Sequence, residues 1–527
     1  MNALLHTVSR LANKLVPLAL LLAAAGCASL PADVVRQPSS SIVQHAAPTP
    51  LQRTVAASTP PEAAALSGFR LLPSGPQALD ARLALAQRAE ATLDVQAYLI
   101  ADDVSGRQLL GALRDASRRG VRVRLLVDDL HAAPVLPLLA GLAAQPNAEV
   151  RLYNPLPVRA GSLAGRVLGS LHELERINHR MHNKLFIADN TLALAGGRNL
   201  GDEYFMRSAQ SNFIDMDVLA SGPVVGDLAG VFDGFWNSER AWPVLALEGR
   251  GQDGAALRAQ LDHALAGSDA PPAAPPEDVL GRRAVSIELA AGRLDQVFAP
   301  ARVLADAPDK ARCDAADCAA GAVDQALDLL RHAETSVALV SPYFVPGDDG
   351  LALLRETTAR GVKVQLLTNS LGATDEPLVH AGYARYRPAL LDLGIELREL
   401  SPTLTTRTTA LGSFGRSLAR LHAKVAVIDR RQVLIGSLNL DPRSRRLNTE
   451  VGLLIDSPAL ARELARLSRP DVLTGAYRLR LDDEQRIEWL AQQDDGGLRV
   501  LRDEPDSSAG LQLKLGLLSL LVGEDWL

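Results

Sequence analysis

Apolar and polar positions along the chain follow one order twice. Thr92–Ile100 (TLDVQAYLI) is an apolar run of strand length, and Gly106–Arg119 has the spacing of an amphipathic helix that Gly120 ends. Val121–Asp128 (VRVRLLVD) reads as a second strand. The same order returns as Thr335–Val345 (TSVALVSPYFV), Leu351–Arg360 stopped by Gly361, and Val362–Thr368 (VKVQLLT). Alternating strands and helices predict α/β layers around a mainly parallel sheet. A unit of roughly 200 residues, present twice, matches the size of a folding domain. The expected class is α/β: two similar domains, each a mixed β-sheet flanked by helices, forming a pseudo-twofold bilobal molecule.

Segments without such periodicity mark the boundaries. Residues 28–66, rich in Ala, Pro, Ser, Thr and Gln, read as a disordered tether. The first domain is expected over 67–263 and the second over 286–490. The Pro- and Ala-rich stretch inside 264–285 reads as the linker between them. A tail, 491–527, carries the apolar run Leu511–Val522. That run is shorter than the roughly 20 residues a bilayer span needs, which favours a docking helix.

The first 27 residues read as a targeting segment. Arg10 and Lys14 precede the apolar run Leu15–Ala25, which meets Gly26 and Cys27. Cys27 after Ala-Ala-Gly resembles a bacterial lipoprotein box, although Ala24 stands where Leu is commoner. The resemblance implies acylation of Cys27 and a lipid-anchored, periplasm-facing location in the cell envelope; Ala28 favours the outer membrane. A plain secretory signal and an uncleaved anchor are the alternatives.

Composition narrows the chemistry. A net charge of −6, a pI near 6.0 and only 4% aromatic residues give no global footprint for nucleic acid. The two other cysteines, Cys313 and Cys318, can pair locally or stay as thiols, and their spacing is poor for zinc.

A second repeat carries the chemistry. His182, Lys184, Asp189, Gly196 and Asn199 are followed by His422, Lys424, Asp429, Gly436 and Asn439, with the same offsets. Residues i and i+2 of a strand point to one side, so each His-x-Lys pair presents an imidazole and an ammonium to one spot. Two imidazoles on opposite sides of one phosphorus can divide phosphodiester transfer. One attacks, and the other protonates the departing oxygen. Lys184 and Lys424 supply charge to the transition state, and Asn199 and Asn439 add amide donors to the phosphate oxygens. Asp189 and Asp429, at the hairpin turns, read as structural carboxylates of the motif. Gly196-Gly197 and Gly436-Ser437 read as places where backbone approaches a ligand. This chemistry needs no metal.

The doubled pattern His-x-Lys-x4-Asp-x6-Gly-(Gly/Ser)-x-Asn resembles the phospholipase D superfamily over residues 68–490. RMHNKLFIADN, GGRNLGDEYF, TNSLGATDEPLVHAGYARYR, HAKVAVID and GSLNLDPRSRRLNTE are similar to the bacterial cardiolipin synthase C group. The resemblance implies a phosphatidyl-histidine intermediate with no metal and no organic cofactor. It implies phosphatidylethanolamine as donor, phosphatidylglycerol as acceptor, and work at a membrane surface. By carry-over His182 is the nucleophile and His422 the general acid/base, though the two could exchange roles. An acidic residue beyond each Asn orients its His: Glu450 in the second half, and Asp215 or Asp217 in the first. His380, Tyr383 and Arg387 are head-group pocket candidates, with a packed helix face as the other reading. Ser341-Pro342-Tyr343 is a candidate pocket wall, and His179 a bystander. A phospholipase D hydrolase shares the same motifs and is the first rival; a metal-independent nuclease is the second. No protein partner is indicated. The lipoprotein-like leader departs from the group and leaves open where donor and acceptor are met.

Overall fold

The structure, a computed structural model, describes residues 29–42, 47–248, 251–267, 274–310, 320–405, 417–467, 475–493, 496–508, 510–512 and 515. Cys27, Cys313, Cys318 and most of the run Leu511–Val522 lie outside the described residues.

Each half builds one large mixed sheet, of nine strands in the first and ten in the second, and eight strands correspond in order between them. In the first sheet Thr92–Ala97, Arg122–Asp128 and Ala148–Tyr153 run parallel. In the second, Ser336–Val340, Lys363–Asn369 and Glu396–Leu400 do the same. Both parallel triplets join an antiparallel hairpin: Leu185–Ala188 with Leu192–Gly196, and Val425–Ile428 with Gln432–Gly436. Each sheet is thus mixed, with only its central strands parallel. The expected Gly106–Arg119 helix spans Val104–Arg118, capped by Asp103, whose carboxylate accepts from the Gly106 amide at 2.9 Å.

Helices pack on the outer face of each sheet, through Leu85 and Leu113 in the first lobe and Val323 and Leu353 in the second. The inner faces meet in a shared core in which Ile187 and Val218 pack with Val425 and Val433. The lobes are also stitched by backbone. Ser211–Ile214 pairs in parallel with Leu418–Leu421, and Met181 bridges Thr449.

Three boundaries differ from the sequence reading. The stretch 28–66 is in part docked. Arg124 donates to Ser39 and Ser41, Ser41 donates to Asp233, and the helix Pro50–Ser58 buries Leu51. Polar hydroxyls satisfying a buried guanidinium replace the apolar periodicity that usually signals order. The 264–285 linker is an excursion within the first lobe rather than its end. Helix Val285–Ala290 packs in the first core, and Val297–Ala299 is an edge strand of the first sheet, so the second lobe begins at Ala301. The tail adds Leu498–Leu501 to the second sheet, extending it beyond 490 through Ala476–Leu481 and Ile487–Gln492.

Candidate active site

The two motifs are delivered by the same local geometry. Each hairpin turns through two left-handed residues, Asp189-Asn190 and Asp429-Arg430, with φ between 47° and 54°. The turn swings each aspartate back to the start of the neighbouring parallel strand. Asp189 accepts from the amides of Glu90, Ala91 and Thr92, and Asp429 from those of Glu334, Thr335 and Ser336. These carboxylates hold the hairpin against the sheet and point away from the imidazoles.

His182 and His422 sit at the open end of the parallel strands, 7% and 4% exposed. Their carboxylate partners are crossed. His182 Nδ1 lies 2.9 Å from Glu450 Oε2, and His422 Nδ1 lies 2.7 Å from Asp215 Oδ2. Each acid orients the imidazole of the opposite half, a correction to the expectation that it serves its own. The backbone explains the crossing. The His182 amide donates to Thr449 O, one residue before Glu450, and the His422 amide donates to Ile214 O, one residue before Asp215. Asp215 is therefore the partner in the first half. Asp217 faces the other way and pairs with Arg82 and Arg198.

Lys184 Nζ donates to the His182 carbonyl at 2.7 Å, and Lys424 Nζ to the His422 carbonyl at 2.6 Å. Asn199 Nδ2 donates to the Tyr204 hydroxyl at 2.8 Å. The buried Oδ1 atoms of Asn199 and Asn439 have no partner among the described residues; an amide oxygen only accepts, so any bond to a phosphate oxygen must come from the Nδ2 hydrogens. The motif glycines serve packing. A Cβ on Gly196 would strike Asp217 and Met216, one on Gly197 would strike the Asp215 carboxylate, and one on Gly436 would strike Val451 and Gly452. The close approach is by the neighbouring strand, not by a ligand.

Electrostatics follow from burial. Burial pushes His182 down to about 4 despite the opposing pull of Glu450. Burial and Lys424 also lower His422. Burial and the facing Lys424 push Lys184 down to about 7, and burial pushes Lys424 down to about 8. Burial alone would raise Asp215 and Glu450, but the histidines and lysines around them hold both below the usual carboxylate range. Each imidazole is therefore neutral in the free protein. Its Nδ1–H donates to an ionised carboxylate, and its Nε2 lone pair is free.

Aromatic residues not singled out from the sequence frame the rings. Tyr98 stands edge-on to His182 and Tyr204 edge-on to His422, both with centroids 5.2 Å apart. Tyr98 lies in the first strand run, and Tyr204 lies in GGRNLGDEYF, so both were within reach of the motif reading. Ser437 and Ser444 hydroxyls both donate to Glu450. Tyr343 lies by Asp375, which with burial raises its phenol. His179 meets the Leu447 carbonyl and takes no part.

His380, Tyr383 and Arg387 belong to a buried cluster in the second lobe instead of a head-group pocket. Arg387 pairs with Glu399 at 2.7 Å and Glu504 at 2.6 Å, Tyr383 donates to Glu399, and His380 faces Glu504 and Arg387. The tail supplies Glu504, which locks these helices to it. A cavity of about 720 Å3 lies between the lobes on the inner face of the second sheet, lined by Val340, Leu367, Val425 and Leu464 of the second lobe and by Met206, Ile214 and Asp215 of the first. Neither His-x-Lys pair lines it. Among the described residues no three His, Cys, Asp or Glu side chains group as metal ligands would.

Residues 83–236 and 326–469 match the family described as cardiolipin synthase, PLD-like domain, one match for each lobe. The chain belongs to that family. It is 38% identical over 460 residues to cardiolipin synthase C of Escherichia coli, covering 85% of this chain and 94% of that one. It is 28% identical over 435 residues to cardiolipin synthase A of Pseudomonas fluorescens, covering 82% and 73%. The phosphatidylserine synthase structure from Haemophilus influenzae shares the fold, with a TM-score of 0.54 at 14% identity over 87% of this chain and 96% of that one.

Proposed function

We propose that this member of the PLD-like cardiolipin synthase family is a phosphatidyltransferase that joins two phospholipids through a phosphatidyl-histidine intermediate. The crossed pairs His182–Glu450 and His422–Asp215 carry the reading, because the carboxylate of each lobe orients the imidazole of the other, and Lys424 lies close enough to act on both His182 and Lys184. In the first step His182 Nε2 forms a bond to phosphorus and the phosphorus–oxygen bond to the donor head group breaks. His422, protonated in the complex, gives its Nε2 proton to that oxygen. An arriving phosphodiester anion favours this protonation by restoring negative charge beside the ring. In the second step the acceptor hydroxyl loses its proton to His422, its oxygen bonds to phosphorus, and His182 departs. Lys184 and Lys424 sit where charge grows on the non-bridging oxygens, and the Asn199 and Asn439 amides add to that stabilisation.

Phosphatidylethanolamine as donor and phosphatidylglycerol as acceptor are the substrates we assign, on likeness to cardiolipin synthase C of E. coli. We also assign acylation at Cys27 and an envelope location facing the periplasm, at the outer membrane, on the composition of residues 10–28. Purified protein incubated with labelled phosphatidylethanolamine and phosphatidylglycerol is expected to yield cardiolipin and free ethanolamine. Phosphatidic acid as the sole product would make it a hydrolase. Acid-quenched reactions should leave label on the peptide carrying His182; label on the peptide carrying His422 would exchange the two roles.

A further inference from the structure

The segment between the strand Ala148–Tyr153 and His182 folds as helix Leu163–Gly169, a 3-10 turn Leu171–Glu173 and a short helix Leu174–Ile177. Four of the twelve large apolar side chains left exposed among the described residues fall within it: Leu163, Leu168, Leu171 and Leu174, at 40%, 62%, 42% and 38%. They fall within twelve residues, on three consecutive short elements. Nothing about their support is loose. Arg159 and Arg166 both reach Asp129 at 2.7 Å, Arg159 also pairs with Glu248, and Asn154 Nδ2 donates to the carbonyls of Arg176 and His179. Asp128, beside Asp129, holds Arg180 and accepts from the Met181 amide. The leucines therefore project from a brace that is tied by charge to the backbone leading into His182.

This brace emerges from the same end of the parallel strands as Tyr98 and His182. A phospholipid must put its phosphodiester against imidazoles that are less than a tenth exposed while its acyl chains stay out of water. A bilayer surface laid against the rim meets both demands. We infer that Leu163, Leu168, Leu171 and Leu174 form a membrane-docking rim that enters the headgroup and acyl boundary of the bilayer and sets the site over its substrate. This inference rests on the phospholipid-transfer reading for its biological sense, but its own test does not depend on turnover.

In the full chain, Leu168→Trp adds an indole whose emission is read as the difference from the unsubstituted protein. With phosphatidylethanolamine–phosphatidylglycerol vesicles the added emission should shift to shorter wavelength and be quenched by lipids brominated along the acyl chain. No shift and no quenching would overturn the rim. A shift that instead follows protein concentration without vesicles would assign the patch to a second copy and would also overturn it. The combined Leu168→Ser, Leu171→Ser, Leu174→Ser variant should lose about tenfold or more in kcat/KM on vesicles, from lost apolar burial in the interface, while keeping its turnover of short-chain monomeric phospholipid. Equal losses on both substrates would make the patch structural and defeat the proposal. Failure of the transferase reading, seen as phosphatidic acid without cardiolipin, would leave the vesicle-dependent quenching in place.

Discussion

His182 is oriented by Glu450, a carboxylate 268 residues further along the chain in the other lobe. His422 and Asp215 repeat the relationship in reverse across 207 residues. Neutralising either acid without changing its shape removes the partner that fixes the tautomer and steadies the imidazolium. Glu450→Gln and Asp215→Asn are each expected to lower kcat by about 100-fold to 10,000-fold with little change in KM, as when an orienting carboxylate is lost elsewhere. Steady-state kinetics on mixed vesicles tests this. A variant with unchanged kcat would show that its carboxylate is only a packing partner.

His182→Ala and His422→Ala are each expected to abolish cardiolipin formation while leaving the unfolding transition cooperative. Substantial activity in either variant would break the two-imidazole mechanism, and circular dichroism of the same samples separates lost chemistry from a lost fold.

The pH profile of kcat/KM reports ionisations of the free enzyme. The first step needs His422 protonated, and burial lowers its titration below the ordinary imidazole range. The alkaline decline should therefore begin there and steepen as pH rises through about 7 and about 8, where Lys184 and Lys424 lose the charge that phosphate needs. On the acid side His182 must be unprotonated to attack, so activity should fall as pH drops through about 4. A profile with no alkaline decline before about pH 10, the ordinary lysine range, would contradict the burial of these charges.

A buried ammonium whose hydrogen-bonded partner among the described residues is a carbonyl is held for function at some cost in stability. Lys184→Met, similar in volume and 3% exposed at this site, should raise the unfolding free energy by on the order of 1 kcal/mol while eliminating turnover. Urea denaturation decides it; a clear loss of stability would mean that Lys184 is integral to the packing.

Asp189 and Asp429 should behave as structural residues of unequal weight. Asp189 is 4% exposed and takes three backbone amides, so Asp189→Ala should cost about 2–4 kcal/mol by leaving buried donors unpaired. Glu334 and Thr335, which donate to Asp429, reach solvent, so Asp429→Ala should cost about half as much. Thermal unfolding of the two variants measures the difference. A large kcat loss without loss of stability would return these residues to the chemistry.

The site residues that lie close together in sequence were legible there. Repeated offsets exposed the imidazoles, ammonium groups and amides, and the left-handed turn at Asp189-Asn190 follows from turn chemistry. Pairings across lobes were not legible, because strand contacts between Leu418–Leu421 and Ser211–Ile214 depend on docking that no local pattern encodes. His380, Tyr383 and Arg387 looked like pocket residues because their partners, Glu399 and Glu504, arrive from a strand and a tail far along the chain. Pro and Ala content suggested a linker over 264–285 but could not reveal that the chain returns to the first sheet at Val297–Ala299. The docked helix at Pro50–Ser58 did carry a readable sign, the capping box of Thr49 and Gln52.

The exchange of carboxylates between the lobes also bears on how such a gene can change. Once each repeat relies on its twin to aim its ring, neither can be trimmed away, and neither can drift as a spare copy. Two polypeptides damaged in opposite repeats would also fail to rescue one another by simple mixing, since each intact ring would face a spoiled counterpart inside its own chain.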